Sequence, residues 1–292
     1  MDMTPTFICV GAAKSGTTSF HYILSQHPEI LIPQEKDFHF FDDQQNYSKG
    51  IDWYNRFFKN GNSKQKIAGE IAATYLYDPL APQRILETLG PDCKLIFILR
   101  NPSKRSYSEY LHHYRRGNLK KTYRDYLEQN FDSNCYSKDP NHLLIERSCY
   151  SRYIENYLKY FSKDQMKFII MEELFTNGEV VMRKINKFLE VSDFSYNWEM
   201  KINEGFVPVS VRFNKMLHSK SVWKSILIKI LPSYLMRRQI KLWLQMINRS
   251  NAKKQNSKLK PKEYREINSN FFKDEIQKLE LIIENPLNIW DL

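Results

Sequence analysis

No run of 18 apolar residues occurs in the sequence, so it holds no hydrophobic segment long enough for a membrane-spanning helix. The first residues, Met-Asp-Met-Thr-Pro-Thr, lack the basic, apolar and small-residue succession of a secretory leader. The chain as given therefore reads as soluble and cytoplasmic. Glycine (9) and proline (12) are sparse among 292 residues, and no repeat or low-complexity tract appears, which excludes a disordered or linker-like composition. Cysteine is scarce as well. Cys9, Cys93, Cys135 and Cys149 form no Cys-x-x-Cys pair and have no histidines at zinc spacing, which excludes a zinc module. The favoured reading is four reduced, mostly buried thiols, with a Cys135–Cys149 disulfide as the alternative.

What is present suits one large globular unit. Hydrophobic residues make up 42% and aromatics 14%, enough for a sizeable core. The net charge of +11 is local. Residues 212–265 hold 15 Lys or Arg and one acid, Glu263, so this segment is net +14 and the remainder net −3. A local anionic partner follows more readily than general nucleic-acid binding, and no nucleic acid is expected. Three readings compete for the segment: a clamp for an anionic acceptor such as an acidic glycan, a peripheral contact with an anionic membrane, or solvated faces of covering helices.

Apolar runs at 7–10, 30–32, 66–70, 94–99 and 167–171 read as strands, the clearest being Lys94-Leu-Ile-Phe-Ile-Leu99. Helical patterning follows at 17–26, 79–89, 103–114, 150–160 and 180–189, then at 222–231, 236–247 and 263–283. Residues 118–148 are polar and weakly patterned. Alternating strands and helices predict an α/β fold, a P-loop-like parallel sheet with helices on both faces and a basic helical C-terminal extension. Residues 1–205 form the core in this reading, and 206–292 complete the same domain. Ligands of such sheets sit at the strands' carboxyl ends. Three strands lead there into polar segments, at 11–15, 100–103 and 172–173.

Gly11-Ala-Ala-Lys14-Ser15-Gly16-Thr17-Thr18 joins a buried strand to a helix. Small residues let backbone N–H groups crowd a phosphate, the helix N-terminus adds partial positive charge, and Lys14 adds a full one. It is not a Walker A loop, which ends Gly-Lys-[Ser/Thr]; here Lys14 precedes Gly16. No Gly-x-Gly-x-x-Gly is present either, so dinucleotide hydride chemistry is excluded. At the exit of the clearest strand stands Arg100-Asn-Pro-Ser-Lys-Arg-Ser-Tyr-Ser108. Arg100 can fork onto a phosphate, and Ser108, two turns into the next helix, can reach the same group.

Together these two stretches resemble the donor-binding motifs of sulfotransferases that use 3′-phosphoadenosine 5′-phosphosulfate (PAPS). The resemblance implies that Lys14, Ser15, Gly16, Thr17 and Thr18 hold the 5′-phosphosulfate and that Arg100 and Ser108 hold the 3′-phosphate. A third stretch, from Arg147-Ser-Cys-Tyr150 to Phe168-Ile-Ile-Met-Glu172-Glu-Leu174, resembles the same family and puts Tyr150 near the 3′-phosphate. The likeness covers about residues 7–190, resumes weakly at 259–291, and is to the carbohydrate, heparan-sulfate-like and bacterial branch. PAPS is then the donor, and the motifs require no metal.

Sulfuryl transfer needs charge neutralisation at the leaving phosphate oxygen, which Lys14 can supply, and a base for the acceptor hydroxyl. Pro33-Gln-Glu35-Lys36-Asp37-Phe-His39-Phe-Phe-Asp42 resembles the family's Lys-Glu-x-His-Phe-Phe motif, whose glutamate is the expected base in heparan-type members. Asp37 replaces that glutamate and is one methylene shorter. Asp37 ranks first as base, Glu35 second and His39 third. Glu70, in Gly69-Glu70-Ile-Ala-Ala-Thr74-Tyr75, resembles a further family segment; it either touches the acceptor or orients Lys36, or it is a structural carboxylate. The Gly205-Phe-Val-Pro-Val-Ser-Val-Arg212 stretch resembles a loop closing over the donor, with Val209 where arginine is common. The resemblance implies a PAPS-dependent sulfotransferase acting on a hydroxyl, on a sugar. Its rivals are a nucleotide kinase using ATP and a polyanion- or membrane-binding protein with a vestigial nucleotide site.

Overall fold

The computed structural model describes residues 3–59, 61–116, 118–119, 121–132, 143–199 and 259–290. Five parallel strands form one sheet in the order β2-β3-β1-β4-β5. They are β1 (Phe7–Gly11), β2 (Ile30–Leu31), β3 (Ile67–Ile71), β4 (Lys94–Leu99) and β5 (Met166–Ile170). Their side chains alternate between two apolar layers, as a pleated strand requires. Ile8, Val10, Leu95, Phe97 and Leu99 face one layer, while Phe7, Cys9, Ile96 and Ile98 face the other. Both faces are covered, and therefore these strands read as near-continuous apolar runs.

The helices are α1 (Thr17–Leu24), α2 (Gln44–Tyr47), α3 (Gly50–Asn55), α4 (Ala81–Leu89), α5 (Pro102–Arg115), α6 (Tyr123–Asn130), α7 (Tyr150–Tyr157), α8 (Met171–Thr176), α9 (Gly178–Leu189), α10 (Pro261–Ile267) and α11 (Lys273–Ile283). Residues of α1 and α9 close one face; those of α4, α7 and α11 close the other. A third apolar cluster joins α5, α6 and the α10–α11 junction through Tyr107, Tyr110, Tyr123, Tyr126, Ile267 and Phe272. These four tyrosines are thus core packing. Pro102 opens α5 at a position that needs no N–H, and Asn101 Oδ1 caps it by accepting from Lys104 N at 3.3 Å.

Four expectations change, three of them in secondary structure and one at a cysteine. The weakly patterned stretch contains α6, whose Tyr123, Tyr126 and Leu127 recur at helical spacing and are buried. Glu172 and Glu173 do not form a loop: α8 begins directly after β5 and holds both in its first turn. The final helix is broken by a π-helical turn at Asn268–Phe272, whose Asn268 and Phe272 are buried. Cys9 and Cys93 are free and buried as expected, and burial pushes both thiols up to about 12. Cys149, in contrast, is disulfide-bonded, and Cys135 lies outside the described residues. Sequence spacing does not say whether two Cβ atoms approach; only the backbone path does. Helices expected at 222–231 and 236–247, most of the basic segment and the Val209 loop also lie outside the described residues. Among those described, no helix is long and apolar enough to cross a membrane.

Candidate active site

The strand order places the site. The chain leaves β1 for β2 and β3 on one side, then returns to β4 on the other, so the exits of β1 and β4 are neighbours. The loop after β1 begins at Ala12, whose N–H bonds Ile98 O at 2.9 Å, and turns back through Ser15 N to Ala12 O at 3.1 Å. Lys14 has φ +68 and Gly16 φ +88, both left-handed. Gly16 tolerates this without a side chain; Lys14 adopts it against its Cβ. Thr17 and Thr18 form the first turn of α1, where backbone N–H groups have no helical partner.

Arg100, at the exit of β4, donates from Nη1 to Lys14 O at 2.9 Å. Tyr150, first residue of α7, donates to Arg100 O at 2.8 Å, and burial pushes its phenol up to about 12. Ser15 Oγ is buried beside the Tyr150 hydroxyl but completes no hydrogen bond of good geometry. A buried, unspent hydroxyl beside the N–H groups that open α1 fits an anionic ligand that would supply acceptors. The Ser108 side chain, half-buried on α5, makes no hydrogen bond among the described residues. Burial lowers the Lys14 pKa, and Glu109 opposes that shift. Burial likewise lowers Arg100, with Glu172 opposing. His112 on α5 is pushed down to about 4, by burial first and by Lys14 second.

The loop after β2 carries the second half. Asp37 (φ +58) accepts from Ala73 N at 2.8 Å through Oδ1 and pairs with Lys36 Nζ at 3.1 Å through Oδ2. Both side chains are about a quarter exposed, at 24% and 27%. Glu35 is exposed, and His39 pairs instead with Asp42 at 3.1 Å. Lys36 and Asp37 also act electrostatically on His21 of α1, which places the loop against the helix that begins at the β1 exit. Glu70 is buried within β3. Its carboxylate accepts from Tyr54 Oη at 2.7 Å, from Tyr75 Oη at 2.9 Å and from Phe38 N at 3.2 Å. Tyr75 Oη in turn accepts from Phe40 N at 3.0 Å. Burial pushes Glu70 up to about 7, against those hydrogen bonds.

Several participants escaped the sequence reading. Arg105 of α5 is fully buried and reaches Ala13 O of the first loop at 3.3 Å. Its spacing of four from Glu109 was the available hint. Trp290 donates its indole N–H to Glu172 Oε2 at 3.1 Å, and its carbonyl accepts from Asn101 Nδ2 at 3.0 Å. No local pattern links a residue near position 290 to the β4 exit.

Comparison with known proteins agrees with this geometry. The family described as "Sulfotransferase domain" matches residues 4–204. The human bifunctional heparan sulfate N-deacetylase/N-sulfotransferase 2 is 32% identical over 202 residues, covering 66% of this chain and 23% of that protein. The mouse heparan sulfate glucosamine 3-O-sulfotransferase 5 is 29% identical over 220 residues, covering 73% of this chain and 62% of that protein. The chain thus spans less than two thirds of either relative. The crystal structure of a sulfotransferase from Alicyclobacillus acidocaldarius superposes with a TM-score of 0.65 at 25% identity, over 99% of each chain.

Proposed function

The chain belongs to the sulfotransferase family, and on that premise we propose that it moves a sulfuryl group from PAPS to an acceptor hydroxyl on a carbohydrate. The heparan sulfate relatives support a glycan acceptor. One observation carries the reading: the β1 loop and Arg100, each suited to hold a phosphate, lie at the exits of adjacent strands and are joined by the Arg100–Lys14 O hydrogen bond. When bound, the donor supplies a sulfuryl group already activated by its bond to a phosphate oxygen.

The residues divide the work as follows. The N–H groups and hydroxyls from Lys14 to Thr18 bind and orient the 5′ end, and Arg100 with Ser108 takes the 3′-phosphate. Tyr150 braces Arg100 through its carbonyl. Lys14 Nζ neutralises charge growing on the leaving phosphate oxygen as its bond to sulfur breaks. A carboxylate accepts the hydroxyl proton as the acceptor oxygen bonds sulfur, and Asp37 is the first choice because Ala73 N already aims it. Glu70, with three donors on its two oxygens, orients the Asp37 loop and does not contact the acceptor. The basic segment favours an acidic glycan. The test is transfer of labelled sulfate from PAPS to a panel of glycans, lipids and phenols, with adenosine 3′,5′-bisphosphate and ATP as competitors. Transfer to a glycan with selective competition by the bisphosphate is expected; no transfer, with ATP competing equally for the nucleotide site, overturns the reading.

A further inference from the structure

Arg105 is fully buried, and a guanidinium does not shed its proton to escape burial. Its Nε donates to Ser148 Oγ at 2.7 Å and its Nη2 to Leu144 O at 2.6 Å. Its Nη1 pairs with Glu109 Oε2 at 2.7 Å and also donates to Ala13 O at 3.3 Å. Burial is the largest influence and works against this charge, but Glu109 together with Tyr77 and Tyr150 outweighs it and the net shift is upward. One side chain therefore fastens α5, the segment that leads into α7, and the β1 loop. Stability alone is a poor reason for such an arrangement, since buried ion pairs are often replaceable by apolar residues of similar volume without loss.

The loop supplies a better reason. The two peptide planes that flank the Lys14 Cα are those ending in the carbonyls of Ala13 and Lys14. Arg105 holds the first carbonyl and Arg100 the second. Two pinned planes set the φ and ψ between them, and Lys14 has the left-handed φ of +68 that a non-glycine residue keeps only when its surroundings impose it. In a trans peptide the C=O and the following N–H point in opposite directions, so drawing Ala13 O toward α5 turns Lys14 N–H away from it. Arg100 is partly accessible and Arg105 is not. We propose that Arg105 is a positioning residue of the donor site, which acts through the Ala13 carbonyl to hold Lys14 and its N–H in the phosphate-binding arrangement.

The proposal rests on the donor reading above, and its test separates the two. Adenosine 3′,5′-bisphosphate affinity is measured by calorimetry, and kcat and acceptor KM by sulfate transfer, in wild type, Arg105→Lys, Glu109→Gln and Ser148→Ala. Arg105→Lys keeps the charge but loses the fork, so donor affinity should fall about tenfold, as loss of one charge-assisted hydrogen bond would give. Its kcat should fall too, with acceptor KM within about twofold. Ser148→Ala removes a distal partner of the same guanidinium; it should lower Tm but leave donor affinity within about twofold at temperatures where the protein is folded. Glu109→Gln loosens the guanidinium and should fall between them, which keeps the test open if Arg105→Lys does not fold. Wild-type donor affinity in Arg105→Lys or, failing that variant, in Glu109→Gln overturns the proposal. So does a loss in Ser148→Ala equal to that in Arg105→Lys. Absence of wild-type binding overturns the donor reading and this proposal together.

Discussion

Lys14 stands where burial disfavours the charge that its proposed role needs, and Glu109 offsets part of that penalty. Lys14→Ala should lower kcat about 10²–10³-fold, the cost of losing one charge-stabilising donor. Its Tm should stay close to wild type, because alanine inherits the same left-handed φ and the charge removed is one that burial disfavours. Sulfate transfer and circular dichroism check both halves; near-normal turnover would remove Lys14 from the mechanism. Asp37→Asn is the cleaner test of the base, since the amide oxygen still accepts from Ala73 N. It should cut kcat about 10²–10⁴-fold with donor affinity unchanged. If Glu35→Gln does this instead, the exposed carboxylate is the base. Both residues were legible in the sequence because a lone lysine among small residues, and an acid inside an aromatic-rich motif, have little packing rationale. Arg105 was not, since arginine in a helical stretch reads as surface until the fold surrounds it.

At the scale of elements, β3 both builds the sheet and carries Glu70. Burial pushes the carboxyl up to about 7 in the folded protein, from an ordinary value of 4.5. Between these values the folded protein keeps a proton that the unfolded chain has lost. The contribution is therefore greatest below pH 4.5 and is lost as pH rises through 7, by about 3 kcal/mol in total. Glu70→Gln abolishes this dependence, so its urea midpoint relative to wild type should improve steadily from pH 5 to pH 8. Parallel profiles would show that Glu70 does not titrate there. The neighbouring Gly69 faces Phe7, and a Cβ there would lie 2.2 Å from the ring. Gly69→Ala should destabilise by about 1–3 kcal/mol through overpacking, seen as a lower urea midpoint, and Gly69→Ala/Phe7→Leu should recover part of it. Strands β1 and β4 were legible because strands buried on both faces are uniformly apolar. α6 was not, since its buried face is only Tyr123, Tyr126 and Leu127 within a polar stretch, too few apolar residues to set a helical period. α8 was missed because two glutamates after a strand look like a loop, yet acids in a first helical turn suit the helix dipole.

For the molecule as a whole, the C-terminal residues are fastened to the strand exits. Trp290 is 1% exposed, and its indole and carbonyl bond Glu172 and Asn101. Trp290→Ala should cost about 3–5 kcal/mol, and Trp290→Phe less. Both should weaken donor binding, because Asn101 follows Arg100 directly; calorimetry alongside thermal melts would detect that coupling, and unchanged affinity would deny it. The net +14 of residues 212–265 predicts that acceptor KM rises with salt for an anionic glycan and not for a neutral one, measured by transfer at stepped ionic strength. The sequence by itself determined the α/β alternation, the loop that starts at Gly11, the Arg100 and Asp37 segments and the local basicity. Each of these is written in contiguous residues whose spacing or chemistry carries the signal. The tertiary structure alone decided that Glu70 is enclosed by Tyr54, Tyr75 and Phe38, that Arg105 reaches the loop from behind, and that Trp290 closes on Asn101. Apart from Tyr75, five positions from Glu70, those contacts join residues between 16 and 189 positions apart, and the strand order brings them within hydrogen-bond reach.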